Sequence, residues 1–560
     1  MAKIQWVNDL SGTTNQYASP SLLADNQAGL LLNVSQSQLG NVAHRLGATR
    51  FGNQISASNQ IRGLHAFEKN DGTYFLHAVH DGNIYRYDAG TWTQQIAQAN
   101  AGISSTSSVE FANFIGRHYY IGSGSTEYLR WLVDTGGSTL ATVVTGTASA
   151  SSAASTLVAT TNIFTPGMVG FVITNTTDAT TRTIAAYTDS TTVTVDTAIN
   201  DTWDGDSLAI YMDGKYLATN GAYMVIAGST ANTRRSYWSG LEAATFDVNT
   251  DYAITDTPPT GVASFGNGRP FIVFTQDNYL TVDPTSGATD QVEGFGCVSH
   301  RSIGNLKGTL IWLSRDGFYS LAYNQAFPTE VSLPIKNDLT GDAIINKING
   351  TNFAVTASGV IGNKYYCALR DLTATVKGQT LDDCVVEYDY AQNAWRVHTF
   401  TRSGLGTVFT DFILSGQRNL YAGSVDDGTI YKMEDIGIYQ DQNGSAVSGD
   451  VTTVIQTKHY EFGAAQSIEM KNIKKIHFKY KCASGGTITV KYSLNGSTTY
   501  TSLPVTLPAS PSGQDWDWRY FAFGKETKSI SLQLESTADF IIYGLGFEVE
   551  SLNTEGIDPL

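Results

Sequence analysis

Cysteine is scarce in this chain. Four residues of 560, Cys297, Cys367, Cys384 and Cys482, stand far apart with no Cys-x-x-Cys spacing. That excludes a disulfide-rich secreted framework and a zinc ribbon, both of which need clustered thiols. Cys367 and Cys384 could face each other across a hairpin, but are read as two buried thiols. Charge is also sparse, at 15% of residues against roughly 25% in an average soluble protein, so Ser, Thr, Asn and Gln must cover much of the surface. Bases are outnumbered by acids, 35 to 51, for a net charge of −16. Tight wrapping of nucleic acid is therefore unexpected, because that affinity comes from Lys and Arg displacing counterions from phosphates. An acidic wall would repel DNA and leave it free to slide. No apolar run reaches the length of a membrane-spanning helix. The opening "MAKIQWVNDLSG" lacks the apolar core of a signal peptide. The expected place of synthesis is the cytoplasm, with exit only as part of an assembly.

Glycine (54), Tyr (29) and Phe (24) are plentiful, as are Thr and Val, while Pro (12) and Met (6) are few. β-Branched and aromatic residues suit a pleated, half-buried surface, and Gly suits turns. "YFLHAVH" turns at Asp81-Gly82 and returns as "NIYRYD", with Asp-Gly supplying the positive φ angles of a two-residue type I′ hairpin. Similar units recur at 118–133, 223–239, 270–283, 309–321, 363–398 and 419–432, each an apolar strand, a turn and an aromatic-bearing strand. The turns at 277 and 316 lie 39 residues apart. A period near 40 to 45 is that of a propeller blade, whose small sheets bury their faces only against neighbours. The fold class expected is all-β: a propeller of about six to eight blades, carrying an inserted β-domain and a C-terminal β-sandwich. A chain of unrelated β-sandwiches is the competing architecture.

Five regions follow. Residues 1–60 form an extended segment that could supply the strand closing the ring, or an arm for a neighbouring subunit. Blades occupy 61–140 and 213–450. Between them, 141–212 is rich in Thr, with Arg182 its one basic residue, and contains short alternating strands. It is read as a small inserted domain standing clear of the ring. At 451–560, "KKIHFKYK" places Ile476, Phe478 and Tyr480 on one face and His477, Lys479 and Lys481 on the other. Further strands of this kind make a sandwich.

Little in the sequence points to chemistry. It has no His-Glu-x-x-His, Gly-x-Ser-x-Gly, P-loop or dinucleotide fingerprint. Cys297 and His300 form a Cys-x-x-His pair without a second pair to complete a metal site. His77 and His80, three apart in a strand, should point to opposite faces. Glu387 and Asp389 share a strand face and could pair as glycosidase carboxylates, though a solvated blade edge is the default reading. Trp131, Trp238 and Trp395 could stack on sugars or fill the gaps between blades. No metal and no cofactor are expected. The one basic cluster, Lys471, Lys474, Lys475, Lys479 and Lys481, is a candidate patch for docking an acidic partner or contacting DNA near an opening.

Several phrases resemble virion proteins of tailed bacteriophages, of the tubular-tail or tail-nozzle type. These are Asn33 followed by "GNVAHRLGATRFG" (40–52), "GFGCVSHRSIGNLKGTLIWLSRDGFYSL" (294–321), the "GMVG" and "GD" of the insertion, and "YEFGAAQSIEMKNIKKIHF" (460–478). The resemblance touches every region of the chain, and its weight rests on the order of modules. It implies a non-enzymatic structural ring or tube in a phage tail, homo-oligomeric (usually a hexamer) and in contact with other tail or portal-adaptor proteins. Genome DNA would pass through without tight binding, and no active-site residues are implied. The location implied is the virion tail, after synthesis in the bacterial cytoplasm. A glycan-binding adhesin of the tail, or a propeller hydrolase acting on glycans, are the alternatives.

Overall fold

The computed structural model describes residues 3–18, 22–36, 40–69, 71–133, 137–149, 154–199, 203–337, 341–400, 404–443, 447–462, 470–484 and 486–551. The chain is all-β, its few helices being single turns or little more. Among the described residues, no helix is long and apolar enough to cross a membrane.

The turn chemistry acts as expected at Asp81-Gly82, where both residues adopt positive φ (49° and 73°) between strands Tyr74–His80 and Asn83–Asp88. The other Asp-Gly turns differ. Only the glycine is left-handed at Asp427-Gly428, and Gly317 sits at φ 152°, where a Cβ would also lie 2.2 Å from the Ser332 hydroxyl.

Hairpins of this kind extend into antiparallel sheets of four. Six are discrete: residues 61–96, 109–140, 216–254, 261–293, 304–330, and 405–432 completed by 49–50. A further set of four, 357–399, continues into a ten-stranded sheet. In chain order these make seven. Except between the fourth and fifth sheets, the first strand of each lies beside that of the next, and the first strand of the last set, Leu405–Leu414, lies beside Ile61–Glu68 of the first. Between the fourth and fifth sheets the link is a bond from Asn305 Nδ2 to the Ser264 carbonyl (2.8 Å) and a shared core. Aromatic rings fill the spaces between sheets, as where Phe274 meets Trp312 at 5.0 Å and Phe51 stacks on Tyr87 at 4.1 Å.

Residues 142–211 build a six-stranded sheet of their own. It does not stand clear. Its apolar residues, including Phe171, Ile173 and Trp203, join one core with Phe114 and Tyr119 before it and Met224 and Tyr237 after it. The approach is close: a side chain at Gly167 would meet the Val248 carbonyl, and one at Gly170 the Ala231 carbonyl.

The N-terminal segment is divided among three sheets. Thr49–Arg50 pairs with Ile430–Lys432 and completes the seventh set. Ala28–Leu32 lies between Ala394–Thr399 and Thr453–Thr457, joining the sixth set to the C-terminal strands. Lys3–Val7 and Val42–His44 pair with Phe540–Ser551. The C-terminal unit is thus two sheets built from both ends of the chain, packed on a core of Ile473, Ile476, Phe478, Leu532, Leu534 and Phe547.

One buried side chain ties these pieces together. Arg45, 1% exposed, directs five hydrogen bonds. They go to Asp441 (2.9 and 2.6 Å), Asn33 Oδ1 (3.1 Å), and the carbonyls of Leu46 (2.9 Å) and Thr399 (2.8 Å). Every N–H of the guanidinium has an acceptor, the condition under which a buried cation is tolerated. Asn33 itself sits at φ 56°, a conformation that Asn tolerates better than most residues. Gly47 follows because a Cβ there would lie 2.1 Å from the Gln440 carbonyl oxygen.

Candidate functional site on the C-terminal sheet

Strand Lys471–Cys482 lies inside its sheet, between Phe540–Ser551 and Asp517–Thr527, the latter an edge strand among the described residues. Ile476, Phe478 and Tyr480 point into the core as the alternation requires. A register shift between Ile473 and Lys475 interrupts that alternation, so both isoleucines are buried while Lys474 and Lys475 are part-exposed.

The five lysines do not form one free basic patch. Lys471 is buried. Lys474 pairs with Glu550 at 2.7 Å, and Lys475 with Glu548 at 2.9 Å. Among the described residues Lys479 has no carboxylate partner, and its ammonium lies 4.5 Å from the Trp516 ring centre and 5.9 Å from that of Tyr543. Lys481 is exposed beyond it. The lysines are therefore neutralised in part, and the remaining cation rests on aromatic rings.

Those rings make the more distinctive surface. Register places Trp6, Gly546, His477 and Tyr520 in one row across four strands, with Gly544, Lys479 and Trp518 in the next. Trp6 lies flat because position 546 is glycine: a Cβ there would come within 2.8 Å of the indole. Trp6 then meets Trp518 at 4.6 Å, and His477 lies 5.5 Å from Tyr520. Trp516, Trp518 and Tyr520 remain 45%, 42% and 58% exposed. His477 Nε2 is 3.8 Å from Glu548, beyond hydrogen-bond reach, and Nδ1 has no hydrogen-bond partner among the described residues. Burial lowers the His477 pKa against the opposing charge of Glu548, which favours a neutral ring.

The remaining sequence candidates are occupied structurally. Trp395 is fully buried and donates Nε1–H to the Val331 carbonyl at 2.7 Å, and Trp238 is buried as well. Trp131 is half-buried beneath the Arg117 guanidinium. Glu387 does not lie at a solvated edge. It is wholly buried, bound by Arg396 (2.9 Å), Lys364 (3.2 Å) and His398 (2.9 Å). Burial alone would raise its pKa, but Lys364, the His398 bond and Arg396 hold it well below the usual carboxylate range. Asp389 accepts from the backbone N–H of Ala391 and Gln392, closing its own turn. Glu387, His398 and Glu434 form the single group of three metal-type ligands among the described residues. Lys364 and Arg396 already supply the charge a metal would.

Cys297 is buried, its thiol pushed up to about 12 by burial and directed at the Ser299 carbonyl. All four cysteines are buried free thiols. His300 accepts from the Val262 N–H (3.3 Å) and faces Glu110 (3.6 Å). His80 donates to the Ser58 carbonyl (2.7 Å). His77 packs against His118, whose Nε2 meets His65 Nδ1 at 3.0 Å. Sequence reading missed this histidine cluster, which pairing of the first two sheets assembles from three strands.

Arg301 lies among the first strands of three of these sheets. Its guanidinium contacts Glu110 (2.8 Å) and the carbonyls of Arg62 (2.7 Å), Val109 (3.1 Å) and Thr407 (3.3 Å). One side chain thereby joins the first, second and seventh sheets from the segment preceding the fifth.

No family model and no curated protein matches this chain. Among solved structures, one titled "Structure of U3-55K" is similar at 7% identity, covering 70% of this chain and 98% of that one, with a TM-score of 0.35. Another, titled "Crystal Structure of Mitotic Checkpoint Complex", has the same identity, coverage of this chain and score, and is covered over 94% of its length. At these values neither likeness bears on fold detail or function.

Proposed function

We propose that this protein is a non-enzymatic structural component of a bacteriophage tail, a seven-bladed β-propeller with an inserted β-sheet domain and a sandwich shared by both chain ends. The observation that carries the reading is the staple around Arg45. The phrase that resembles phage tail proteins, Asn33 with 40–52, coincides with the residues that bind the closing blade to the sandwich. Rigidity is what a ring or nozzle under DNA pressure requires, and a fully bonded buried cation supplies it by fixing three sheets to one another. Part of the second phrase, Cys297 to Ser302, carries Arg301, whose guanidinium reaches the carbonyls of Thr407 and Arg62.

The axis of a single chain is not the conduit in this proposal. Arg301 bonds among the first strands of three sheets, so DNA passes through the opening at the centre of several copies, where the net charge of −16 discourages sticking. Light scattering on the purified protein and imaging of particles carrying a tagged copy test the reading. Oligomeric rings and a tag located in the tail support it. A protein that stays monomeric and never enters particles overturns it.

A further inference from the structure

The outer face of the six-stranded C-terminal sheet carries an exposed aromatic surface that the structural role does not use. Trp516, Trp518 and Tyr520 present their rings to solvent, although exposing large contiguous apolar surface is unfavourable and usually marks a contact site. The rings are held in place. Gly546 seats Trp6, Trp6 braces Trp518, Lys479 lies over Trp516, and Lys475 lies 5.3 Å from the Tyr520 ring centre. A preformed site loses less entropy on binding.

The polar groups among the rings say what fits. Lys475–Glu548 and Lys474–Glu550 ion pairs sit on the same face, and His477 lies between Trp6 and Tyr520 with Nδ1 unbonded. The centre of a protein–protein interface is depleted in Lys and Glu. A sugar ring instead offers an apolar C–H face for stacking and a rim of hydroxyls for lysine, glutamate and imidazole. Lys479, without a carboxylate of its own, and the exposed Lys481 bias the face towards an anion. We infer that this face binds an acidic polysaccharide, its sugar rings stacked on Trp518, Tyr520 and Trp516 and a sugar carboxylate drawn to Lys479. This binding does not depend on the protein's place in a tail.

The test titrates the full chain with polygalacturonate and with dextran while following tryptophan fluorescence. Polygalacturonate is expected to shift the emission and to bind more weakly as salt rises, with dextran binding far less. Trp518→Ala should weaken binding by about tenfold, the scale of one lost stacking ring, and Tyr520→Ala similarly. Lys479→Gln should lower affinity for polygalacturonate with little change in thermal stability. Absence of binding, equal binding of dextran, or unchanged affinity in the ring variants would overturn the inference. So would Trp518→Ala dissolving an oligomer in a protein that binds no polysaccharide, since the face would then be a subunit contact.

Discussion

Arg45 and Lys479 are both cations, placed by the fold in opposite circumstances. Arg45 is buried, and every N–H it owns is spent on a named acceptor. Lys479 lies part-exposed on an indole with no carboxylate beside it. The first arrangement leaves nothing over for a ligand and much to lose on mutation. The second contributes little to stability and leaves a charge and several ring faces free. Buried polar satisfaction therefore marks what holds this molecule together, and exposed aromatic surface marks what it can hold.

The strongest way to break that contrast is Arg45→Met. Asp441 would remain buried without its counter-charge, keeping the Ala48 N–H but losing both guanidinium bonds, and breaking one side of a buried pair costs about 3–5 kcal/mol. Chemical denaturation should show that loss, or a chain that no longer folds. Glu387→Gln should be next, since Lys364 and Arg396 would lose the buried carboxylate they share and keep the more distant Glu434 (3.5 Å) and Asp389 (3.9 Å). It also carries a pH signature. The Glu387 pKa is depressed in the folded state, so its stabilisation is complete above the ordinary carboxylate value and disappears as pH falls below it. The melting temperature of the parent should drop steeply below about pH 4.5, and the variant should follow a flatter curve.

A smaller effect is expected at the histidine cluster. Burial pushes His65 down to about 4, against the pull of Asp411 and Glu110. It also lowers His118 well below the ordinary histidine value, with His77 and His65 adding to the shift. An unfolded chain takes up these protons first, so stability is complete above about pH 6.5 and declines as pH falls towards 4. His118→Phe should flatten the melting curve across that window. The smallest stability effect belongs to Trp518→Ala, within about 0.5 kcal/mol for an exposed position away from caps and core. A large loss there would end the contrast between holding and binding.

The hairpins were legible because alternation and turn chemistry are local: Tyr74–His80, Asp81-Gly82 and Asn83–Asp88 are read within fifteen residues of one another. The N-terminal segment was read only as extended, with a ring-closing strand among its options. Its strands are two to five residues long, and most of their partners lie hundreds of positions away, as Arg45 and Asp441 do at 396. The lysine cluster was visible as composition, but its neutralisation required Glu548 and Glu550 from a strand some seventy residues further on. The aromatic face was missed because strand Asp517–Thr527 carries rings on both sides. Phe521 packs towards the core while Trp518 and Tyr520 face outward, so no simple alternation announces a surface. Sequence reasoning chose Trp131, Trp238 and Trp395 instead, and the tryptophans that suit strands best were the ones used for packing. In the phrase 460–478, residues 463–469 lie outside the described structure.

Native-state hydrogen exchange across residues 28–51 tests most directly the claim that the N-terminal segment closes the molecule. The amides of Asn33, Arg45 and Phe51, which donate to the carbonyls of Val397, Asn33 and Ile430, should exchange as slowly as those of the strand Gln417–Ser424. Exchange at loop rates throughout 28–51, with the blades still protected, would contradict it.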